Sequence, residues 1–503
     1  MDALTARFRT IPTWAVLAIC CAAQFMVVLD VAIVNVALPQ MRRSLGLSVV
    51  GEQWVVNAYT LTFAGFLMLG GRAADLFGRR RIFIVGLTVF TVCSLIGGLA
   101  QNGAWLIAAR AAQGIGGAIL APATLSILVT TYTEPGERRR ALGAWSATAA
   151  SGAAVGVLAG GVLTSLLNWR WVLFVNVPIG IVLLAGAWVA LPRHEERGPR
   201  KTLDLTGAVT VTAGLAVLVY GIVSTDVHPW LSSRTIVTLA VGLALLAVFV
   251  VTESRFARDP LIPLSIFRRR SLSVANGIAV TMGAAIFGTY FFLSLFLQNV
   301  DGYSPLRAGL AFVPVGLFTL AGALTGSRLV QYIGARNQLM LGPGMAAVGL
   351  LWLSRVGAGD AYLIHVLGPV VLIGLGIGMS FVPMTLAATA GVPMHEAGLA
   401  SGLINTTRQI GGALGLAVMA TVATSIAAGH GAGHHAVDAS LTSGYRAAFV
   451  MAGCGLIIGA LLATLLPRRV APIVVEPAVA PAPAPGAEAT RDELAPGLAV
   501  LDA

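Results

Sequence analysis

The sequence is poor in charge. Only 11% of its 503 residues are Asp, Glu, Lys or Arg, where a soluble domain carries about 25%. Lys201 is the only lysine, so the formal net charge of +11 is almost wholly arginine. Four cysteines, Cys20, Cys21, Cys93 and Cys454, all fall in apolar runs, which excludes a disulfide framework and a thiolate metal site. No GxxxxGK[ST] stretch occurs, so ATP-driven chemistry by this chain is not expected. No nucleophile–base–acid set or metal-ligand spacing emerges, so no enzyme, catalytic residue, metal or cofactor is expected. The cluster His430, His434 and His435 in "HGAGHHAVD" could bind a metal, but its loop setting reads as solvated. The first apolar run is too long for a cleavable signal peptide and lacks a small-residue cleavage site.

What is present is apolar length. Hydrophobic residues make up 57% of the chain, the mean hydropathy is +0.86, and apolar runs near the ~20 residues that cross a bilayer recur from Trp14 to Leu466. The runs are too long and continuous for a β-barrel. The expected fold class is therefore an all-α polytopic membrane protein, and its 59 glycines suit close helix packing in lipid. Apolar windows suggest spans near 13–37, 54–71, 82–100, 104–131, 140–166, 171–192, 205–224, 235–252, 272–298, 307–330, 338–355, 361–388, 400–427 and 446–466. Arg79–Arg81, Arg138–Arg140, "RHEERGPRK" (193–201), Arg268–Arg270, Arg336 and Arg468–Arg469 share one side of this topology. That side is expected to be cytoplasmic, with both termini inside. The basicity thus reads as loop charge and not as nucleic-acid binding. Lysine scarcity beside Ala, Gly, Val and Arg richness suggests a GC-rich bacterial genome, hence a bacterial cytoplasmic membrane.

An internal echo suggests two halves. Gly70, Arg72, Gly78 and Arg80 of "GGRAADLFGRR" match Gly326, Arg328, Gly334 and Arg336 of "GSRLVQYIGAR" at identical spacing, with Gln331 standing where the first copy has Asp75. Six spans per half plus two inserted ones give the offset, and parallel repeats are a known transporter plan. The expected divisions are an N-terminal segment 1–12, a six-helix bundle 13–192, a linker with two inserted helices 193–271, a second six-helix bundle 272–466, and a disordered Pro/Ala-rich tail 467–503.

Asp30 in "FMVVLDVAIVNVALP" is a carboxylate about 24 Å along the first span, and Arg110 lies about 9 Å below the outer end of the fourth. Their similar depth suggests that both line one central cavity and influence each other, because charges in a span face the interior and pair. Burial and a neighbouring cation act on such a carboxylate in opposite senses. Asp30 is then either a proton carrier or one half of a permanent packing pair. Gly152, Gly156 and Gly160 recur every four residues, which removes side chains from one helix face.

Several stretches resemble the major facilitator superfamily, and within it the fourteen-span drug:proton antiporters: "LDVAIVNVALP" (29–39), "GGRAADLFGRRR" (70–81), "RAAQGIGGA" (110–118), "NWRWVLFVNVPIG" (168–180) and "LQNVDGYSPLRAGL" (297–310). The resemblance covers nearly the whole chain to about Pro467. It implies the major facilitator fold and a proton-coupled exporter of lipophilic drugs, antibiotics or related metabolites, energised by the proton gradient. Asp30 and Arg110 would couple the proton. Gly71, Arg72, Asp75, Gly78, Arg79 and Arg80 would form a cytoplasmic gate that latches helix ends in the outward-open state, although Arg79–Arg81 also fit a purely topological role. Gly143, Gly152, Gly156, Gly160 and Gly161 match the antiporter motif, with Val157 where relatives usually carry proline; simple tight packing explains the same glycines. Asn35, Asn57, Tyr59, Gln113, Phe287, Tyr290, Gln298 and Asn405 are candidates for the substrate cavity or for interhelical hydrogen bonding. The partners implied are a small lipophilic substrate, protons and the bilayer, with the protein a monomer. A nutrient importer on the same fold and a non-transporting membrane sensor are the rival readings.

Overall fold

The structure, a computed structural model, describes residues 12–191, 203–226, 228–257, 260–392, 397–428 and 434–467. The "RHEERGPRK" run, the chain before residue 12, the tail after 467 and His430 lie outside them, as do the side chains of His434 and His435. Among the described residues every regular element is helical, and twelve helices are long and apolar enough to cross a membrane.

The first half of the chain supplies α1 (Thr13–Leu45), α2 (Val49–Phe77), α3 (Arg79–Gly98), α4 (Gly103–Thr131), α5 (Pro135–Leu166), the single turn α6 (Trp171–Phe174) and α7 (Asn176–Ala190). Then come α8 (Leu205–Val223) and α9 (Ser233–Val251), followed by α10 (Arg270–Leu295), α11 (Pro305–Leu353), α12 (Gly368–Thr389), α13 (Ala397–Ala428) and α14 (His434–Ala463). Local chemistry sets the ends. Ser48 and Asn102 accept the amides of Gly51 and Trp105 at 3.1 and 2.9 Å, each cap contributing about 1 kcal/mol. Gly46 closes α1 in the left-handed region at φ 62°, which a glycine adopts without steric cost.

The 49 residues of α11 are helical on both sides of Gly334, where φ 76° and ψ 160° break the helix. Gly78 turns the chain between α2 and α3 at φ 94° and ψ 130°. The two glycines matched by the sequence echo therefore do the same conformational job.

Glycine spacing governs how α5 packs. A Cβ at Gly152, Gly156 or Gly160 would stand 3.1, 2.8 or 2.7 Å from the carbonyl oxygens of Phe25, Leu29 and Ile33. Those carbonyls also recur every four residues, so α1 and α5 run backbone to backbone for two turns. Gly161 serves a different neighbour: its Cβ would lie 2.6 Å from the carbonyl oxygen of Pro305 on α11. Gly143 has nothing within 4 Å of such a Cβ. The α8–α9 pair lies beside the seam between α2 and α13. Thr212 packs on Gly65, and Thr421 donates to the Ile222 carbonyl at 3.2 Å.

The two membrane faces differ. At the far face, where α1 ends, the first and last parts of the chain are sewn together. Ser294 and Gln298 donate to the Asn35 and Val36 carbonyls at 3.0 Å each, and Ser165 accepts the Leu306 amide at 2.9 Å. Glu52, buried there, stands 3.6 Å from Arg42. At the near face, where α1 begins, Gly143, Ala144 and Ala147 of α5 are exposed. Among the described residues α4 and α5 make no extended contact with α12 or α13. The hydrogen bonds that join the two parts of the chain thus gather at the far face.

Candidate functional site

Five helices converge on Asp30. Gly156 and Gly160 press α5 against α1 on either side of it. On α4, Gly114 lets the α2 backbone at Tyr59 come close, since a Cβ there would lie 2.4 Å from the Tyr59 carbonyl oxygen. That approach brings Arg110 within reach of both α1 and α2.

Arg110 Nη1 donates to Asp30 Oδ2 at 2.5 Å and to Gln113 Oε1 at 2.8 Å, while its Nε donates to the Val55 carbonyl at 3.3 Å. The guanidinium carbon sits 4.3 Å from the Tyr59 ring centroid, a cation–π contact that strengthens as water is removed. Asp30 Oδ1 accepts from Gln113 Nε2 and from Asn176 Nδ2, both at 2.8 Å. Asn176 also donates to Ser94 Oγ at 3.0 Å, and Ser94 donates to the Leu173 carbonyl at 2.9 Å. Asp30, Gln113 and Asn176 are 0% exposed and Arg110 2%. A carboxylate with three donors and one facing cation is fully compensated, which is what lets a charge pair persist in a dry core.

The shared depth of Asp30 and Arg110 is thus direct contact. The expected open cavity around them is not there: in this conformation the pair is sealed. Gln113 joins the pair and Tyr59 floors it, so neither lines an open cleft. Asn35 and Gln298 belong to the far-face seam; Asn35 donates to the Val31 carbonyl at 2.8 Å. Asn57 is fully buried, and neither side-chain polar atom has a hydrogen-bond partner. Phe287 and Tyr290 are half-buried on α10, Tyr290 stacking on Phe312 with centroids 5.5 Å apart. Asn405 is exposed and accepts from Arg408 at 3.1 Å.

At the near face, Asp75 near the end of α2 is exposed and stands 3.9 Å from Arg79, the first residue of α3 across the Gly78 turn. Arg79 also donates to Ser126 at 2.7 Å, Arg72 to the Pro260 carbonyl at 2.8 Å, and Arg80 to the Trp188 carbonyl at 2.9 Å. Gly70 packs against the Ala118 carbonyl, while Gly71 is in ordinary contact with Pro122. Among the described residues Asp75 makes no ion pair beyond Arg79.

Three polar residues were not singled out from the sequence. Asn176 had a signal, as the one polar side chain in "FVNVPIG". Glu52 looked like a loop residue ahead of the second span, yet α2 begins before it and buries it. Ser94 carried no signal.

Long apolar helices packed around a buried ion pair are the frame of a membrane-spanning protein, and kinship makes it a transporter of small molecules. Residues 20–416 match the model of the Major Facilitator Superfamily, and the chain belongs to that family. It is 46% identical to the cephamycin export protein CmcT of Amycolatopsis lactamdurans over 92% of this chain and 94% of that protein. It is 41% identical to the puromycin resistance protein of Streptomyces alboniger over 90% and 91%. In fold it matches a bacterial homologue of the human lysosomal transporter Spinster, crystallised inward-facing and unoccupied, with a TM-score of 0.64 at 17% identity over 91% of this chain and 97% of that one.

Proposed function

We propose that the protein is a proton-coupled exporter of lipophilic drugs, antibiotics or related metabolites in a bacterial cytoplasmic membrane, working by alternating access as a monomer. The near face is the cytoplasmic one, on the loop-arginine bias. Fourteen spans follow if the two arms of α11 count separately and α5 counts as one: six in each bundle (13–192 and 272–466) with α8 and α9 inserted between.

The observation that carries this reading is Asp30, held by Arg110, Gln113 and Asn176 in a dry site next to the α1–α5 glycine contact. A proton can replace Arg110 as the neutraliser of Asp30 only if the helices shift, so protonation and conformation are linked at this carboxylate. Kinship with exporters and resistance proteins supports the outward direction and the drug-like cargo.

Inverted vesicles containing the purified protein, energised by an inside-acid gradient, provide the test. Accumulation of at least one lipophilic compound from a broad panel, abolished by collapsing the gradient, is expected. Gradient-independent behaviour of the whole panel would reject proton coupling.

A further inference from the structure

Charge balance separates the two arginines deepest in the helices. Arg110 has its carboxylate; Arg408 has none within 4 Å among the described residues. Arg408 lies eleven residues into α13, about 16 Å from its near-face end, where an ionised side chain marks a functional site by default.

Its surroundings are built for more than packing. α10 presses on the backbone at this point, because a Cβ on Gly283 would overlap the Arg408 carbonyl oxygen. The side chain is half-buried. One hydrogen bond is formed, from Nη2 to Asn405 Oδ1 at 3.1 Å, and the guanidinium carbon stands 5.3 Å from the Phe381 ring centroid. One turn further along, Gly412 makes room for the Phe287 ring, which a Cβ there would meet at 2.7 Å. A planar fork with five N–H donors is therefore held beside the Phe381 ring, with the Phe287 ring one turn further along α13 and most donors unused by protein acceptors.

We propose that Arg408 anchors a carboxylate-type anion on the transported molecule, making lipophilic monoanions the preferred substrate class. This rests on the exporter reading above. The fork pairs bidentately with a carboxylate, Asn405 holds its plane, and Phe381 and Phe287 flank the apolar body. The cargo supplies the counter-charge that the protein leaves out.

The test uses fusidate, its uncharged methyl ester, and the cation ethidium, each followed into inverted vesicles of phosphatidylcholine so that no anionic lipid competes. Wild type is expected to carry fusidate at least tenfold faster than the ester. Arg408→Gln should lose at least tenfold on fusidate while changing the ester less than twofold, and Arg408→Lys, which keeps charge without the fork, should retain part of the preference. Fusidate should also raise the melting midpoint of purified wild type but not of Arg408→Gln, a readout independent of transport. Equal loss on acid and ester would make Arg408 a packing residue and overturn the proposal. Ethidium transport with no fusidate preference would overturn it while leaving the exporter reading intact, and no transport of any of the three, with no fusidate-induced stabilisation, would overturn both.

Discussion

Asp30 Oδ2 and Arg110 Nη1 stand 2.5 Å apart between α1 and α4, in a site sealed from both faces. Removing one member of a buried pair leaves the other uncompensated and costs about 3–5 kcal/mol, whereas replacing both with neutral groups costs far less. Asp30→Asn and Arg110→Gln should each destabilise the protein by about that much, and the double variant by less than the sum of the two single losses. Denaturant unfolding in mixed micelles measures this; strictly additive losses would show that the two charges do not support each other.

Asn176→Leu removes one donor from Asp30 Oδ1 and the donor to Ser94 Oγ, which keeps only its own bond to the Leu173 carbonyl. A buried polar group left unsatisfied costs about 1–3 kcal/mol, and that loss is expected in the same unfolding measurement. Stability equal to wild type would remove Asn176 from the site.

The glycines of α5 should differ sharply. Gly156→Leu places atoms against the Leu29 carbonyl, pushing α1 and Asp30 away, and should abolish transport while the protein still inserts. Gly143→Ala meets open space and should transport like wild type. Vesicle uptake normalised to protein amount compares them; equal effects at both positions would show that the family motif acts by something other than backbone approach.

Asp75 is exposed and weakly paired in this conformation, and such pairs contribute about 0–1 kcal/mol. Asp75→Asn should therefore leave the melting midpoint almost unchanged yet slow transport severalfold if the carboxylate latches the near face in the outward-open state. Unchanged transport would reduce "GGRAADLFGRR" to a tight turn with topological charge.

Asp301 lies in the short connection before α11, outside the candidate spans. Burial pushes its carboxyl above the ordinary range, and Asp360 adds to this, while the Gly359 amide and Arg307 pull the other way. Ionisation is thus harder in the folded protein, so the stability Asp301 contributes is full below about pH 4 and is lost as pH rises through the raised value. Asp301→Asn should melt higher than wild type at pH 7.5 and match it at pH 4. Identical midpoints at pH 7.5 would contradict the burial effect.

Much of this molecule was legible in one dimension, for identifiable reasons. A charge inside an apolar run must find a partner, so depth alone paired Asp30 with Arg110. Four-residue glycine spacing forecast a close helix contact, though not that Gly152, Gly156 and Gly160 would meet α1 while Gly161 met α11. Partner identity is a tertiary fact that spacing does not encode. The same limit hid Ser94 and Asn176, whose importance comes from converging on Asp30. Asn35 and Gln298 stood as candidates for the cavity or for interhelical hydrogen bonding; the Gln298 side chain bonds the Val36 carbonyl across the far-face seam and the Asn35 side chain bonds Val31 of its own helix, because polarity in a span reveals a need for hydrogen bonds without revealing which surface supplies them. Glu52 was passed over because it precedes the apolar window that begins near residue 54, whereas α2 begins at Val49.

Proton exchange at Asp30 is tested most directly by drug-evoked proton movement in inverted vesicles carrying wild type, Asp30→Asn or Asp30→Glu. Adding a transported compound should move protons in wild type, measurably less in Asp30→Glu, and not at all in Asp30→Asn. Undiminished proton movement in Asp30→Asn would contradict the assignment and leave the Asp30–Arg110 pair as a structural clasp.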